Sequence, residues 1–463
     1  MKSIWKQDTP ITARKSLQND MSTQVVVIGA GMAGILTAFF LQKKGLQVIV
    51  LEADRIGSGQ TQNTTAKITS QHGLFYADAV YKIGKKRTAA YAQANENAID
   101  EFEKIVKDEG IDCDFKRLSS YIYTTQKENK KKLKREAKTA AGFGINAEYV
   151  EGTQITELPF PVAGAVCFKN QAQFHPLVFL RHLADELTIY EHTKVLSVKG
   201  HTVYTERNRI EADYIVFATH YPFLNLPGFY FLRQHQERSY CLALRKQKEL
   251  SGMYYSMDEN GLSLRSEGEY LLLGGGSHRT GKKITCQDKE YGYTFLREAV
   301  KNLYPDAETA LAWSAQDCMP HDDIPYIGKY SVFFPYWFVA SGFKKWGMTS
   351  SMIAAKIIST RIYEDSVKEY SEKKDKEISK YEYVFSPQRF LPVAAAKKLV
   401  IDIMESICGL TKGLFSKSEQ RCPHMGCKVE WNPQENSWDC PCHGSRFSYE
   451  GELKDNPAQT NLK

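Results

Sequence analysis

The chain has 463 residues, 42% of them hydrophobic and 12% aromatic, enough to bury a large core in two or three structural units. Its formal charge of +7 is spread over 61 basic and 54 acidic residues, a balance that gives no support to nucleic-acid binding. The N-terminus lacks a continuous apolar run of secretory type, and glycines and prolines interrupt the charge-free windows 21–42 and 214–232, so no transmembrane segment is expected and the cytosol is the expected compartment.

Gln24 to Gly31 is a β-branched run ending in glycines; the residues after it have helical apolar spacing up to Gly45, and LQVIVLEA forms a second strand. This is a βαβ unit opening a parallel sheet. Gly29-x-Gly31-x-x-Gly34 falls at the strand-to-helix turn, with Met32 and Ala33 opening the helix. The first glycine permits the tight turn, the second lets backbone approach a pyrophosphate, and the third lets helix pack on strand. The helix start offers free N–H groups and a positive dipole end to phosphates. Glu52 closes the second strand, where a carboxylate accepts hydrogen bonds from ribose hydroxyls. An adenine dinucleotide is the expected ligand.

From Lys82 to Tyr149 the pattern reads as helical and charged, with Lys127 to Lys138 a solvated helix face. Strand-like alternation returns at Thr193 to Thr219, and Tyr240 to Ser277 is strand-rich. After Tyr330 come a strand, YWFVASG, and a helix starting at GMTSSMIAAKIIS. The lysine-rich stretch Tyr363 to Tyr383 reads as a linker, and Leu391 to Leu410 as one amphipathic helix.

The opening stretch, together with FHPLVFLRHLA, ADYIVFATHYP and DDIPYIGKYSVFFPYWFVASGFKKWGMTSSMIAAKII, resembles the D-amino-acid-oxidase-like FAD-dependent oxidoreductases. The resemblance implies FAD, with Ser58, Gly59, Thr61, Thr65 and Ala66 on the loop past pyrophosphate and flavin and Val195 on the adenine. It also implies Gly342, Lys345, Gly347, Met348 and Thr349 at the isoalloxazine edge. A helix starting near Gly347 independently points N–H groups at whatever precedes it, which suits an anionic reduced flavin. Asn63 stands near the place of the flavin-linking histidine of some relatives, and Cys318 is out of place for a cysteine link, so noncovalent FAD is expected.

Of ten cysteines, Cys113, Cys167, Cys241, Cys286, Cys318 and Cys408 are isolated and expected to be small buried hydrophobes. The other four cluster with two histidines near the C-terminus, as Cys422-x-His424 with Cys427 and Cys440-x-Cys442-His443. Such an inventory fits zinc as well as iron, but each tip carries one cysteine and one histidine, unlike a zinc finger. The arrangement resembles the Rieske 2Fe-2S proteins. By that resemblance Cys422 and Cys440 bind one iron, His424 and His443 the other, and Cys427 pairs with Cys442 in a disulfide. Zinc and a cluster-free remnant remain alternatives. Ser445 is placed to donate to a bridging sulfide, and Phe447 stands where some high-potential relatives have a tyrosine, so a lower potential is expected. The fragment is short for a complete Rieske domain and must dock on the rest of the chain.

The expected fold is α/β: a Rossmann-like FAD-binding domain, an interleaved mixed-sheet substrate domain and a small C-terminal Rieske-like fragment. Residues 1–365 are the oxidoreductase, with FAD-binding parts about 22–80, 150–230 and 305–362 and substrate-domain parts about 81–149 and 231–304. Residues 366–415 are linker and amphipathic helix, and 416–463 the Rieske-like fragment. The FAD and cluster sites are expected to use separate segments. The expected activity is oxidation of a C–N bond of an amine or amino acid by hydride transfer to flavin, with the 2Fe-2S cluster taking electrons onward, and an external electron acceptor is a further expected partner. The alternative is an electron-carrier or redox-sensing protein without its own substrate. No catalytic residue is readable. His72 and His175 flank matched segments, with structural roles expected, and Arg265 can pair with a substrate carboxylate, although a surface position is expected for it.

Overall fold

The computed structural model describes residues 3–7, 9–245, 247–367, 375–415 and 420–462. Its first sheet has eight strands. Met21–Ile28 pairs in parallel with Arg209–Phe217 on one side and Val48–Leu51 on the other, and Phe334–Ser341 and Thr188–Tyr190 extend the parallel set outward. Tyr326–Ser331 closes one edge antiparallel. A parallel sheet is covered on both faces, which is why its strands read as unbroken apolar runs. Val25 and Val27 pack into the layer of helices Met32–Lys43 and Gly347–Ser366. Val26 and Ile28 pack the other way, against Val195, Val198 and Val203 of an antiparallel ribbon.

The second sheet has nine strands, running from Glu308–Pro320 through Gln234–Arg245, Tyr270–Arg279, Ser263–Glu267, Gly252–Ser256, Lys116–Thr124 and Gly164–Gln173 to Lys67–Ile68, with Ala147–Glu151 beside Gly164–Gln173. It is mixed, because Gly252–Ser256 meets Lys116–Thr124 in parallel. Three of its strands, Lys67–Ile68, Gly164–Gln173 and Glu308–Pro320, come from stretches assigned above to the FAD-binding parts. Lys116–Thr124 is likewise a strand inside a stretch expected to be helical; its second half buries Ser120, Ile122 and Tyr123 in the sheet.

Part of the lysine-rich stretch, 368–374, lies outside the described residues, and the part from Asp375 on is more than a linker. Asp375 accepts from the amides of Glu377 and Ile378 and starts a helix, Lys376–Phe385, which buries Ile378, Tyr381, Val384 and Phe385. That apolar stripe was hidden by the polar residues around it. Helix Pro392–Phe415 follows, and then a third, four-stranded sheet from Glu430–Asn432 to Leu453–Asp455. Two of the isolated cysteines, Cys286 and Cys408, are exposed rather than buried, each lying on a segment that faces solvent. Among the described residues no helix is long and apolar enough to cross a membrane.

Phe385 is fully buried and stacks 5.4 Å from Tyr91. Phe385→Ala is expected to lower stability by about 3–5 kcal/mol in denaturant unfolding, the cost of a large-to-small core change; a solvated linker position would give almost none.

Candidate functional site

A cavity of about 560 Å³ opens at the C-terminal ends of the first sheet's strands, between Ile28, Leu51, Ala218 and Ala340. In an open α/β sheet this crevice is where ligands bind. Gly29, Gly31, Met32, Ala33, Glu52, Ser58, Gly59, Thr61, Val195, Lys345, Gly347 and Met348 line it. Gly29 has φ +105°, and a Cβ there would stand 2.6 Å from the Ala218 carbonyl oxygen, while one on Gly34 would collide with the Gly29 carbonyl. Both positions therefore need glycine. The Met32 amide donates to Thr61 Oγ1 at 3.0 Å, which holds the Ser58–Thr61 loop against the helix start. Glu52 accepts from the amides of Ala30 at 2.7 Å and Asp54 at 2.9 Å; burial nevertheless raises its carboxyl above the ordinary value.

Five of the expected residues lie outside this lining, four of them outside the adjoining cavity as well. Gly34 sits between helix and strand, Ala66 is buried with φ +53°, and Gly342 has φ +72°. Thr349 donates to the Thr69 carbonyl at 3.3 Å. Thr65 lines a second, adjoining cavity of about 230 Å³. The two cavities share Thr64, Ala315, Asp317, Lys345, Gly347 and Met348. Trp346, Tyr255, Trp313 and Lys67 are also on the smaller one. Burial, reinforced by Arg265, brings Lys67 down to about 7, and burial pushes Asp317 up to about 7. Lys345 keeps its charge in spite of burial because Glu237 stands 3.7 Å away, and it donates to Ser277 Oγ at 2.9 Å.

His72, His175 and Arg265 line neither cavity. The His72 ring is pinned between the Tyr91 hydroxyl at 2.6 Å and the Thr69 carbonyl at 2.7 Å, and burial pushes it down to about 3. His175 caps helix Pro176–Asp185, accepting from the Val178 amide. Arg265 is fully buried rather than at the surface, paired with Glu267 and the Ala66 carbonyl.

The cysteine and histidine residues form two loops of matching geometry. In one, the Cys422 amide donates to the Cys427 carbonyl and the Gly426 amide to the Cys422 carbonyl; in the other, Cys440 donates to Ser445 and Gly444 to Cys440. Cys427 and Cys442 form a disulfide joining the loops. The interaction between the neighbouring Cys422 and Cys440 thiols lowers the first and raises the second. The His424 and His443 rings lie edge to face at 5.0 Å. Burial brings them to about 4 and about 3, so both imidazoles are neutral, as metal ligands must be. His424 Nε2 meets Asn225 Oδ1 at 2.7 Å, while His443 Nδ1 is buried without a hydrogen-bond partner. Two facing thiols, two neutral imidazoles and an unpartnered ring nitrogen fit a 2Fe-2S cluster.

The loops dock on the body. Gln236 Nε2 donates to the His443 carbonyl at 2.8 Å, Gln316 Nε2 to Gly444 at 2.7 Å, and Arg279 to Pro441 and Cys442, each at 3.1 Å. Asp402, on helix Pro392–Phe415, accepts from His235 at 2.8 Å and His321 at 2.6 Å and pairs with Arg279. Burial alone would raise its carboxyl, but these partners hold it far below the usual range. Although separate segments were expected for the two sites, Leu453, Lys454, Asp455, Asn456, Ala458 and Gln459, beyond the second loop, line the larger cavity. No periodicity or motif marks them.

A family model described as FAD dependent oxidoreductase (DAO) matches residues 24–361, and one described as Rieske [2Fe-2S] domain matches 395–463. YhfW of Bacillus subtilis (strain 168), which carries the name of a Rieske 2Fe-2S iron-sulfur protein, is 33% identical across 100% of this chain and 97% of its own length. Among solved structures, glycine oxidase from Geobacillus kaustophilus aligns with TM-score 0.64 at 19% identity, over 80% of this chain and 99% of its own. L-proline dehydrogenase from P. horikoshii aligns with TM-score 0.63 at 20% identity, over 80% and 98%.

A Cβ on Gly31 would meet Thr61 Oγ1 at 3.3 Å, and a branched side chain there projects at the pyrophosphate path. Gly31→Val is expected to purify without flavin, and full flavin content in the folded variant would contradict the site. Anaerobic metal analysis of the wild-type chain is expected to give about two irons and two sulfides; zinc in their place would contradict the cluster.

Proposed function

The chain belongs to the DAO family of FAD dependent oxidoreductases and carries a Rieske [2Fe-2S] domain at its C-terminus, and from that membership we propose that it oxidises the C–N bond of a small amine or amino acid by hydride transfer and passes the electrons to its own cluster. The observation that carries this reading is the adjacency of the sites. The larger cavity adjoins the smaller one across Lys345 and Asp317, and residues just beyond the second ligand loop wall the larger cavity. When bound, FAD supplies a hydride acceptor and the cluster a one-electron acceptor.

The chain's own residues do the rest. Gly29, Gly31 and the Met32 end of the helix would hold the dinucleotide noncovalently, with Glu52 at the ribose. Cys422 and Cys440 would hold one iron of the cluster and His424 and His443 the other. Lys67 and Asp317 give the smaller cavity a cation and an acid, which matches the two ends of an amino acid, and the aromatic rings of Tyr255, Trp313 and Trp346 limit water around them. A cavity of about 230 Å³ suits a small substrate and speaks against a sealed electron carrier. The cytosol is the proposed compartment: Cys427 and Cys442 are buried, so soluble thiols do not reach the disulfide.

An anaerobic screen of amines and amino acids, read by loss of the oxidised-flavin absorbance, is expected to find a reducing substrate; no bleaching across the screen would overturn the reading. Lys67 is charged below about 7 and Asp317 above about 7, so kcat/KM on that substrate is expected to be bell-shaped and centred near that pH. Lys67→Met should keep only the limb that rises with pH, and Asp317→Asn only the limb that falls. Each should cost about 10-fold or more in kcat/KM, the worth of a charge-assisted hydrogen bond; unchanged profiles would remove both residues from the substrate site.

A further inference from the structure

We propose that residues 453–459, which leave the cluster module, are part of the FAD-binding site, so that the cluster and FAD load cooperatively. The FAD family match ends at residue 361, and nothing in that match reaches this segment.

The segment lies across the larger cavity and is tied to three of its walls. Gln60 Nε2, on the loop that carries Ser58, Gly59 and Thr61, donates to Asp455 Oδ1 at 3.1 Å. Asn456 Nδ2 donates to the carbonyls of Thr219 at 3.1 Å and Tyr221 at 2.9 Å, just beyond strand Arg209–Phe217. Lys194 Nζ, beside Val195, donates to the Gln459 carbonyl at 2.7 Å. Between these ties Lys454 adds a cation to the lining of a site whose ligand carries a diphosphate.

The same residues are tied to the ligand loop. Asp455 Oδ2 accepts from Arg446 Nη1 at 2.9 Å, and Arg446 also pairs with Asp439, the residue before Cys440. The Ala458 amide donates to Ser445 Oγ at 3.0 Å, and the Ser445 carbonyl accepts from the Cys440 amide at 2.8 Å. Ala458 belongs to the small apolar cluster that contains Cys422, Cys427, Cys440 and Cys442, and Leu453 packs against it. The wall over the larger cavity is therefore braced from two sides, by the body through Gln60, Thr219, Tyr221 and Lys194 and by the Cys440–Ser445 loop through Arg446 and Ser445.

Ligation energy is folding energy in a module this small. A cluster that orders the loop orders the wall, and FAD bound against the wall favours the loop geometry that holds the cluster. Linkage makes the effect reciprocal. The inference needs only that both cofactors bind and stands whether or not electrons pass between them, so it fails separately from the proposed electron transfer.

The test uses the full-length protein, freed of flavin and titrated anaerobically with FAD by fluorescence, before and after the cluster is removed with an iron chelator. The Kd for FAD is expected to rise about 5- to 150-fold on cluster loss, the usual span of site-to-site coupling, and to recover when iron and sulfide are restored. Recovery separates coupling from misfolding. Asp455→Ala, which cuts the ties to Gln60 and Arg446 but leaves all four ligands, should weaken FAD binding at unchanged iron content. Equal Kd with and without cluster, failure to recover in protein that has regained its iron and sulfide, or an Asp455→Ala chain with wild-type affinity would each overturn the proposal.

Discussion

A fragment with four short strands cannot bury two metal-binding loops on its own. Its apolar cluster is small and consists largely of the four cysteines with Val429, Phe447 and Ala458. The loops are buried because the oxidoreductase body supplies the missing surface. Gln236, Gln316 and Arg279 satisfy loop carbonyls, Asn225 meets the outer nitrogen of His424, and helix Pro392–Phe415 covers the disulfide. The helix approaches so closely that a Cβ on Gly409 would run into Cys442 Sγ. Phe447 fills this core and has no hydroxyl to offer a sulfur.

Charge rather than oily surface secures that docking. Arg238 and Arg446 share the buried carboxylate of Glu435, with Ser314 also bonded to it. Asp402 gathers His235, His321 and Arg279, and Asp323 takes Lys344 from the cavity wall and Lys398 from the helix. Three of the residues at Asp402 could ligate a metal, yet the Arg279 guanidinium already supplies the cation there, so the group reads as an ion-paired anchor. Buried pairs of this kind add little net stability over apolar packing, but removing one partner costs about 3–5 kcal/mol, so they fix one arrangement of the module.

What the sequence made legible was local. The glycine spacing and Glu52 predict a dinucleotide crevice because strand, turn and helix are consecutive, and the cysteine and histidine spacing predicts the ligand loops for the same reason. Residues that act at long range were invisible. Asn225, Gln236, Gln316 and residues 453–459 belong to no motif, and amides and carbonyls that meet across hundreds of positions leave no period. Helix Lys376–Phe385 was concealed because only four of its residues turn inward. Arg265 and His72 show the converse: their residue types suggest chemistry, but burial and saturated hydrogen bonds make them structural.

The central claim is that oxidation in the small cavity delivers electrons to the cluster. It is tested most directly by mixing the fully loaded protein anaerobically with its reducing amine or amino acid, as sole reductant, and recording the electron paramagnetic resonance spectrum. The account predicts the signal of a reduced 2Fe-2S cluster with mixed cysteine and histidine ligation, lost when His443 is replaced. A flavin that bleaches completely while the cluster stays oxidised would contradict it.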